Sequence, residues 1–590
     1  MIKKIFILSV LAAFLLTAGA VAELSKTAPM TQQNIIKGDE PLPDVEVYPY
    51  VPGTSTDSPG LQVGITYYDY QTNGSSGNRV AICDDGSIYF DWMYLNGWPY
   101  PQVPRHVYHN WMDANGVLNP NEIDGQVNVD AGAGYTNLDI YSGTQGCFAY
   151  HSSGGSSPTY ATVSIDNEIS GMGIFDHYNP PDELFPQTPD SPGRCYWPYM
   201  CVDRNDNIHV TMTENTTLRM QRMAYTGSTD GGATWSTLQF VDTVMVISSV
   251  VDASPVSDRV VIAYSKTTDT STQWYNDIYY VISDDGTSWD FRYGRNNITN
   301  YTTDDDSLFA YTDLDVLFDY NDNIHVVWTD QWVTDEGIYY RTNLKHWDEE
   351  SDEIETIFHH PDSLWTTIEG AWNRSISKMN LGVDTDNNLF CTFTYFDTSD
   401  ISEGGFGNGE IYMVCKPYGG SWDTSLYNLT NSASPGCFPG ECDSDHWSTL
   451  ADVVDENLHV LYINDKDAGG IVQTEGTATE NPVLYLTYPN PYASSVDENT
   501  NRPENFSLNQ NYPNPFNAST VISFSLKEAA PVTVDIFDLT GAKVTTLVNE
   551  HMNAGSHEVV WNASDVASGV YFYKLTAGGV SETKQAVMIK

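Results

Sequence analysis

A tight turn between two short strands recurs along this chain, and this repeat limits the choice of folds more than any other feature. The clear copies are VDRNDNIHVTMT from Val202, FDYNDNIHVVWT from Phe318, VDTDNNLFCTFT from Val383 and VDENLHVLYI from Val454, and weaker copies begin at Cys83, Ser142 and Val256. Asp and Asn favour such a turn because they tolerate its left-handed backbone. The second strands are predicted to begin at Ile88, Cys147, Ile208, Val260, Ile324, Leu389 and Leu458.

A third strand follows several of these units, as in IYYVIS from Ile278 and IYMVCK from Ile411, and then a Gly/Asp-rich corner that ends in tryptophan. Four short strands in about 60 residues, repeated around a ring, are typical of propeller blades. The seven copies predict an all-β fold with a seven-bladed β-propeller over residues 61–488; a six-bladed ring is the alternative. The strand-like LQVGITYYDYQ from Leu61 is expected to complete the last blade and close the ring.

The corners STDGGATW (228–235) and SDDGTSW (283–289) contain a hydroxyl, a carboxylate and a glycine-rich turn, which also occur in active-site loops. They resemble the Asp-box of sialidase-like propellers, also called the BNR repeat. That resemblance implies a hairpin between the third and fourth strands of a blade, away from the ligand-binding mouth. The residues with a structural role would be Ser228, Asp230, Gly232, Trp235, Ser283, Asp285, Gly286 and Trp289.

The amino-terminal residues 1–22 have the three-part pattern of a secretory signal peptide, with Lys3 and Lys4 before an apolar run and Ala-Val-Ala at the end. Residues 23–60, which are rich in Pro, Asp, Thr and Ser, and residues 489–505 are predicted linkers. No later segment approaches the ~20 apolar residues of a membrane-spanning helix.

The chain carries 78 acidic and 26 basic residues, a net charge of −52. This charge argues against nucleic acid and anionic lipid as partners. The eight cysteines suit an oxidising compartment, and we predict disulfides between Cys437 and Cys442 and between Cys391 and Cys415. No CxxC motif occurs and the Asp/Asn turns lack the glycine and glutamate of an EF-hand, so no metal or cofactor is predicted.

From Phe506 onward the chain has six or seven short alternating segments, which predict a small β-sandwich. The segments NQNYPNPFNASTVISFSL, VDIFDLTGAKVTTLV, GSHEVVWNASDVASGVYFYKL and TKQAVMIK resemble the type A C-terminal sorting domain of the bacterial type IX secretion system. Over residues 506–590 the resemblance implies an immunoglobulin-like domain read by an outer-membrane translocon. The protein would then pass through the periplasm to the cell surface or be secreted.

The propeller mouth is expected to be lined by loops that lead into the innermost strands: GRCYWPYM (193–200), AWNRSISKMN (371–380) and ECDSDHWSTL (441–450). They combine aromatic and polar groups, as sugar-binding grooves do. The candidate ligand-binding residues are Arg194, Tyr196, Trp197, Lys378, Asp445, His446 and Trp447. The two tryptophans would stack on a sugar ring, or pack between blades; Asp445 and His446 would bond hydroxyls or act as acid and base.

Three functions stay open for the propeller: binding a glycan or protein, hydrolysing or eliminating an extracellular polysaccharide, or serving as a structural surface protein. A flat aromatic platform would favour the first, paired carboxylates at the mouth the second, and a plugged channel the third. We expect a binder more than an enzyme. A true sialidase is not expected, because no RIP motif and no motif-flanked arginine triad for a substrate carboxylate occur.

Overall fold

The computed structural model describes residues 47–48, 58–493 and 507–589. Gaps within these ranges are 73, 98–103, 120–124, 154–158, 168–170, 185–192, 217, 219, 271–272, 303–307, 335–336, 361–368, 371–372, 474, 509–510, 512–513, 515, 527–529, 539–541, 553–554, 564–565 and 578–579. The predicted signal peptide and most of both predicted linkers lie outside the described residues. The chain divides into two compact units between Asn490 and Pro491.

The larger unit consists of β-strands and, among the described residues, one 3-10 turn at Ile471–Gln473. The strands are β1 (Val47–Tyr48), β2 (Leu61–Thr66), β3 (Val80–Ile82), β4 (Ile88–Tyr94), β5 (His106–Met112), β6 (Gly132–Tyr141), β7 (Gln145–Ser153), β8 (Tyr160–Asp166), β9 (Phe175–Tyr178), β10 (Cys195–Val202), β11 (Ile208–Glu214), β12 (Gln221–Ser228), β13 (Gln239–Val244), β14 (Ser249–Ala253), β15 (Val260–Thr267), β16 (Asn276–Ser283), β17 (Asn296–Asn297), β18 (Leu308–Phe318), β19 (Ile324–Thr334), β20 (Gly337–Asp348), β21 (Ile354–His359), β22 (Ile376–Asp384), β23 (Leu389–Ile401), β24 (Gly407–Lys416), β25 (Tyr427–Asn428), β26 (Ser444–Leu450), β27 (Val453–Val454), β28 (Asn457–Asp465), β29 (Ala478–Thr479) and β30 (Asn481–Pro489).

Consecutive strands pair in antiparallel sheets. The sheet orders are β3-β4-β5, β6-β7-β8-β9, β10-β11-β12-β13, β14-β15-β16-β18-β19-β20-β21 with β17 on β16, β27-β22-β23-β24-β25 and β26-β28-β30-β2; β1 pairs with β29. The longest sheet consists of two groups, β14–β17 and β18–β21, joined through the pairing of Asn276 with Ala310.

The strands β3, β6, β10, β14, β18, β22 and β26, which we call the first strands, lie side by side in chain order. Each is the first of its group, and the later strands follow outward from it. The backbone N–H of Arg79, next to β3, donates to Thr449 Oγ1 on β26 at 3.3 Å. The beginning and the end of this series of first strands are therefore bonded to each other.

The last sheet takes its outermost strand from the amino-terminal part of the chain. β2 pairs antiparallel with β30, with Leu61 opposite Tyr485 and Thr66 opposite Asn481. Ser58, just before β2, accepts a bond from Asn464 Nδ2 at 2.9 Å. Residues near both ends of the larger unit thus form one sheet.

The Asp/Asn turns are held by hydrogen bonds between their own residues. Asp203 Oδ1 accepts the backbone N–H groups of Asn205 at 2.8 Å and Asn207 at 2.9 Å, and Asp206 adopts a φ of 62°. The same bonds are made by Asp319 and Asp384. Because these signals are local, they determine where each second strand begins.

Aspartates near the ends of first strands bond neighbouring groups together. Three of them accept a backbone N–H of the next first strand and one accepts a side-chain amide: Asp139 from Val202 at 2.6 Å, Asp252 from Phe318 at 2.7 Å, Asp315 from Leu381 at 2.8 Å and Asp452 from Asn78 Nδ2 at 2.6 Å. We call these four residues the aspartate ring. The bonds fix the first strands against one another.

The aspartate ring is also an electrostatic feature. Asp139, Asp252 and Asp452 line a cavity of about 490 Å³ at this end of the first strands. Burial raises the pKa of Asp252 to about 8, to which the charges of Asp139 and Asp315 contribute. Burial likewise raises the pKa of Asp315 to about 7 and that of Asp139 to about 6. Each carboxyl group therefore resists ionisation in the folded protein.

The corner between β12 and β13 is held by its own side chains. Asp230 accepts the backbone N–H of Thr234 at 2.7 Å and its hydroxyl at 2.6 Å, and Gly232 N–H donates to Ser228 Oγ at 2.9 Å. Gly232 has a φ of 85°, which favours glycine. The shorter corner is similar, since Asp285 accepts the N–H of Ser288 at 2.6 Å.

One of the two disulfide predictions is confirmed and the other is wrong. Cys437 and Cys442 are bonded, with their Cα atoms 5.0 Å apart. Cys391 lies opposite Val414, whereas Cys415 lies opposite Phe390, and both cysteines are free. Because adjacent residues of a strand point to opposite faces of the sheet, this register separates the two sulfurs.

Peptide mapping of the denatured protein without reductant should therefore give one bridged pair, Cys437–Cys442, and six alkylated thiols. The six are buried in the fold, so brief alkylation of the native protein should label none of them. A peptide linking Cys391 to Cys415 would contradict the register of β23 and β24.

The smaller unit has two sheets of its own. Its strands are β31 (Ser507–Leu508), β32 (Ser519–Leu526), β33 (Ala530–Asp538), β34 (Lys543–Met552), β35 (Gly555–Asn562), β36 (Gly569–Ala577) and β37 (Val580–Met588), in the orders β31-β32-β35 and β34-β33-β36-β37. Ile522 and Trp561 of one sheet share a buried core with Val534 and Tyr573 of the other. Nowhere in the described part of the chain is there a helix with the length and apolar character needed to cross a membrane.

Candidate active site

Five first strands contain a local irregularity near their amino-terminal ends. Their pairing with the second strands shifts at 134–137, 196–199, 310–314, 377–380 and 446–449. At four of these bulges a residue other than glycine has positive φ: Tyr135 at 51°, Trp197 at 62°, Lys378 at 55° and Trp447 at 56°. Such backbone is costly for bulky residues, and it persists where the surrounding structure enforces it, commonly at functional sites.

The bulged residues hold a segment, residues 71–72 and 74–79, that we call the plug. Lys378 Nζ donates to the carbonyl oxygen of Gly74 at 3.1 Å and to Asp313 Oδ1 at 2.9 Å. The same ammonium group lies 4.7 Å from the centre of the Trp447 ring. Thr449 Oγ1 donates to the carbonyl oxygen of Gly77 at 3.1 Å. The plug thus contacts several first strands at once.

Most candidate residues from the sequence lie in the protein interior. Trp197 is 2% exposed and Trp447 is 1% exposed, so neither ring offers a free face for stacking. Lys378, Tyr196, Asp445 and His446 are also buried, whereas Arg194 is partly exposed and pairs with Asp182 at 2.6 Å. This placement favours packing for the two tryptophans.

Asp445 and His446 lie side by side in the sequence but in different surroundings. Asp445 accepts bonds from Ser58 at 2.9 Å, Ser432 at 2.6 Å and Asn464 at 2.8 Å, so its oxygens are already used. Burial, together with the charge of Lys378, lowers the pKa of His446 to about 3. Asp445 is therefore fixed by its bonds, whereas neither ring nitrogen of His446 has a hydrogen-bond partner among the described residues, and its Nε2 lies 3.3 Å from Asp465 Oδ2.

A different group of residues, which is also buried, has the chemistry of a reaction centre. Arg105 Nη1 donates to the hydroxyl of Tyr68 at 2.8 Å, and its guanidinium lies 5.1 Å from the Tyr68 ring and 5.7 Å from the Tyr135 ring. The Tyr135 ring is 5.2 Å from His151, which is 6.2 Å from Tyr196. We call these five residues the Arg105 cluster.

The Arg105 cluster contains an uncharged histidine with a free nitrogen. His151 Nδ1 is buried, and no group in the described residues forms a hydrogen bond with it. Burial, and after it the charge of Arg105, lowers the pKa of His151 well below its usual value. A neutral imidazole with an unused nitrogen next to a guanidinium is suited to removing a proton from an anionic substrate.

The tyrosines differ from this histidine in their electrostatics. Burial raises the pKa of Tyr68 to about 12, although the charge of Arg105 opposes the shift. Tyr68 therefore remains a neutral hydroxyl that accepts a bond from Arg105. Tyr196 contacts Asn215, an exposed residue, through its hydroxyl group.

Sequence reasoning included Tyr196 but missed the rest of the Arg105 cluster. Tyr68 follows β2, Arg105 precedes β5, and Tyr135 and His151 lie on β6 and β7. Neither their spacing nor a motif links them, and the sequence around Arg105, VPRHV, is not the RIP motif. The one available signal was the scarcity of basic residues, which makes each arginine in the larger unit noteworthy.

Comparison with known families identifies the smaller unit. Residues 510–590 match the family described as the secretion system C-terminal sorting domain. They are a type IX secretion sorting domain. The sorting domain is recognised by the secretion system, and the protein is exported to the cell surface or secreted. The match confirms the resemblance seen in the sequence, and its first residue differs by four from the predicted boundary.

A search of curated proteins gives no match to this chain. Solved structures similar to it include a PL25 ulvan lyase bound to -[GlcA(1-4)Rha3S]-, at 10% identity and a TM-score of 0.44, covering 73% of this chain and 96% of that one. Another is the polysaccharide lyase Uly1, at 10% identity and 0.42, covering 79% and 99%. A third is a GH93 α-L-arabinofuranosidase of Fusarium graminearum with arabinobiose, at 14% identity and 0.36, covering 61% and 98%. At these scores the function has to be argued from the site itself.

Proposed function

We propose that the larger unit is a seven-bladed β-propeller that cleaves a carboxylate-bearing polysaccharide outside the cell by β-elimination at the Arg105 cluster. The blades would be the seven groups that begin with the first strands, with β2 completing the seventh. The sorting domain would be an immunoglobulin-like sandwich, and residues 489–505 would be a linker. The Asp-box corners would stabilise the blades.

The buried neutral His151 beside Arg105 is the observation that carries this proposal. In β-elimination a base removes the proton from the carbon next to a carboxylate, and the bond from the neighbouring carbon to the glycosidic oxygen breaks. A C=C bond forms in the sugar unit at the newly formed end of the polysaccharide chain, and the leaving oxygen takes up a proton. Arg105 would neutralise the substrate carboxylate, His151 would accept the proton and Tyr196 would protonate the leaving oxygen.

The overall acidity of the chain does not oppose this assignment. A chain with 78 acidic and 26 basic residues repels an acidic sugar over most of its surface. Within the Arg105 cluster, however, the side chains are one guanidinium, one imidazole and three phenols. A buried guanidinium binds a carboxylate more strongly than an exposed one, since water screens it less. The prediction that the protein is not a sialidase is kept, because its motifs are missing from the sequence.

A structural surface protein is the second candidate. It is favoured by the plug, which the first strands hold through Lys378, Tyr199 and Thr449. A plugged channel leaves no passage for a polymer chain through the ring. The two candidates differ in whether the cluster beside the plug acts on a polysaccharide.

The protein should release unsaturated oligosaccharides from at least one polyuronate in a panel of polygalacturonate, alginate, hyaluronan, glucuronan and ulvan. The product is detected by the ultraviolet absorbance of its new C=C bond. His151→Gln should lower kcat/KM by about a hundredfold or more, the usual contribution of a general base. Because His151 is held neutral, kcat/KM should stay constant as the pH falls from 8 to below 6.5, where an ordinary histidine base would be protonated.

His177→Gln is the matched control, since His177 lies on β9, is half-buried and bonds Ser164. It should retain full activity. Absence of unsaturated product from every polymer, with the wild-type protein folded, would leave the structural candidate in place. Equal activity of the His151 variant and the control would exclude the assigned base.

A further inference from the structure

Buried polar atoms without hydrogen-bond partners collect at one place beside the first strands. Among the described residues, no partner is found for either carboxyl oxygen of Glu369, for either side-chain amide atom of Asn373 and Gln473, for Gln331 Nε2, or for Asp69 Oδ1. Glu369 and Asn373 are each 2% exposed and Gln331 is fully buried. Leaving one such group unpaired costs about 1–3 kcal/mol, so native proteins rarely do it. We call these five residues the amide–carboxyl cluster.

Backbone bonds and close contacts bring these residues together. A turn places Asn373 N–H 2.8 Å from the carbonyl oxygen of Gly370, next to Glu369. A Cβ atom at Gly370 would lie 2.6 Å from Gly469 Cα and 3.0 Å from Glu475 Oε2, so Gly370 packs directly on Gly469 and Glu475. The backbone there is a second short turn, with Gln473 N–H donating to Gly470 at 2.9 Å.

Asp69 and Gln331 belong to other parts of the chain, and hydrogen bonds connect them to these two turns. Asp69 Oδ2 accepts the backbone N–H of Ile471 at 2.8 Å, whereas its Oδ1 has no partner among the described residues. Gln331 Oε1 accepts a bond from Arg374 Nε at 3.0 Å, which leaves its Nε2 unused. Arg374 is itself fixed, because its guanidinium lies 4.0 Å from the centre of the Tyr311 ring.

The unpaired atoms include both donors and acceptors. Nε2 of Gln331 and the amide nitrogens of Asn373 and Gln473 donate, whereas the amide oxygens accept. Burial raises the pKa of Glu369 well above its usual value, which favours the protonated carboxyl group that can both donate and accept. Burial also raises the pKa of Asp69. Sugar hydroxyls, each a donor and an acceptor, match such a set better than an anion or a cation does.

We propose that the amide–carboxyl cluster is a binding subsite for an uncharged sugar unit of an extracellular glycan. The hydroxyl groups of that unit bond Asn373, Gln473 and Glu369. A divalent cation is disfavoured because the Arg374 guanidinium is bonded to Gln331 in the same cluster. This inference concerns binding alone and stands whether or not the Arg105 cluster performs elimination.

Isothermal titration of the full chain with neutral hexasaccharides of cellulose, xylan, mannan, arabinan and β-1,3-glucan tests the proposal. At least one should bind, and Asn373→Leu and Gln473→Met should each weaken binding tenfold or more. Both replacements remove unpaired polar atoms and keep the side-chain size. The midpoint of thermal unfolding of the sugar-free variants should therefore stay equal or rise.

Asn115→Leu, in an exposed turn, is the matched control and should bind as the wild type does. The proposal is overturned if no hexasaccharide binds, if the two variants bind normally, or if they unfold at a lower temperature, since that would show a structural hydrogen bond. Calcium binding that is lost in Asn373→Leu would instead assign a cation to the cluster. None of these readouts depends on unsaturated product, so they separate this proposal from the elimination reaction.

Discussion

Removal of residues 506–590 should abolish display at the cell surface completely, with the truncated protein retained in the periplasm of a host that has the type IX system. The sorting domain at 510–590 is the part of the chain that the secretion system recognises. The truncated protein should still fold, because the chain divides into separate compact units and the larger one ends at Asn490. Surface labelling and fractionation measure where the protein is.

The control joins residues 489–590 to an unrelated periplasmic reporter, which should then reach the surface. The purified larger unit should unfold at the same temperature with and without the sorting domain. Normal surface display of the truncated protein would contradict the assigned role of this domain.

Asp252→Asn should stabilise the protein by several kcal/mol at pH 8 and by much less at pH 5. The pKa of Asp252 is raised to about 8 in the folded protein, chiefly by burial, against an ordinary value near 4. Between these values the folded state binds more protons than the unfolded state, so stability falls as the pH rises from about 4 to 8. Each pKa unit corresponds to about 1.4 kcal/mol, and partial exposure of Asp252 reduces the total.

Asparagine removes this penalty and keeps an oxygen for the N–H of Phe318. The buried neutral histidines act in the opposite direction, because the lowered pKa values of His151 and His446 reduce stability as the pH falls below about 6.5. Denaturant unfolding at both pH values, with exposed Asp176→Asn as the control, measures the difference. An Asp252 variant less stable than the wild type at pH 8 would show that the ionised carboxylate is needed.

The strand repeat could be predicted from the sequence because its signals are local. Ile88, Ile208, Val260, Ile324 and Leu389 are each the first residue of a strand in the structure. The turn before each of them is stabilised by Asp or, before Val260, Ser side chains that bond backbone N–H groups within four residues, so a short window of sequence contains the information. Export of the protein could also be predicted from the sequence, because the residues typical of the sorting domain follow one another along a single stretch of the chain.

The candidate site could not be predicted in the same way. Arg105, His151 and Tyr68 meet only because separate strands place them together, and no residue near any of them marks the others. The error at Cys391 and Cys415 has a related cause. Pairing two strands was correct, but a one-residue difference in register reverses the face on which a side chain lies.

The outermost strand of the last sheet comes from the beginning of the larger unit. Ser58 and Asn464, which bond each other there, are 406 residues apart in the chain. During synthesis from the amino terminus, β2 is made long before β30. It therefore stays without its partner strand until nearly the whole unit has been synthesised. Contacts this distant in sequence form late and slowly. The pairing edge of β2 is therefore exposed for most of synthesis, and a cut between β2 and β3 would leave β1 and β2 held to the rest of the unit only by noncovalent contacts such as their pairing with β29 and β30.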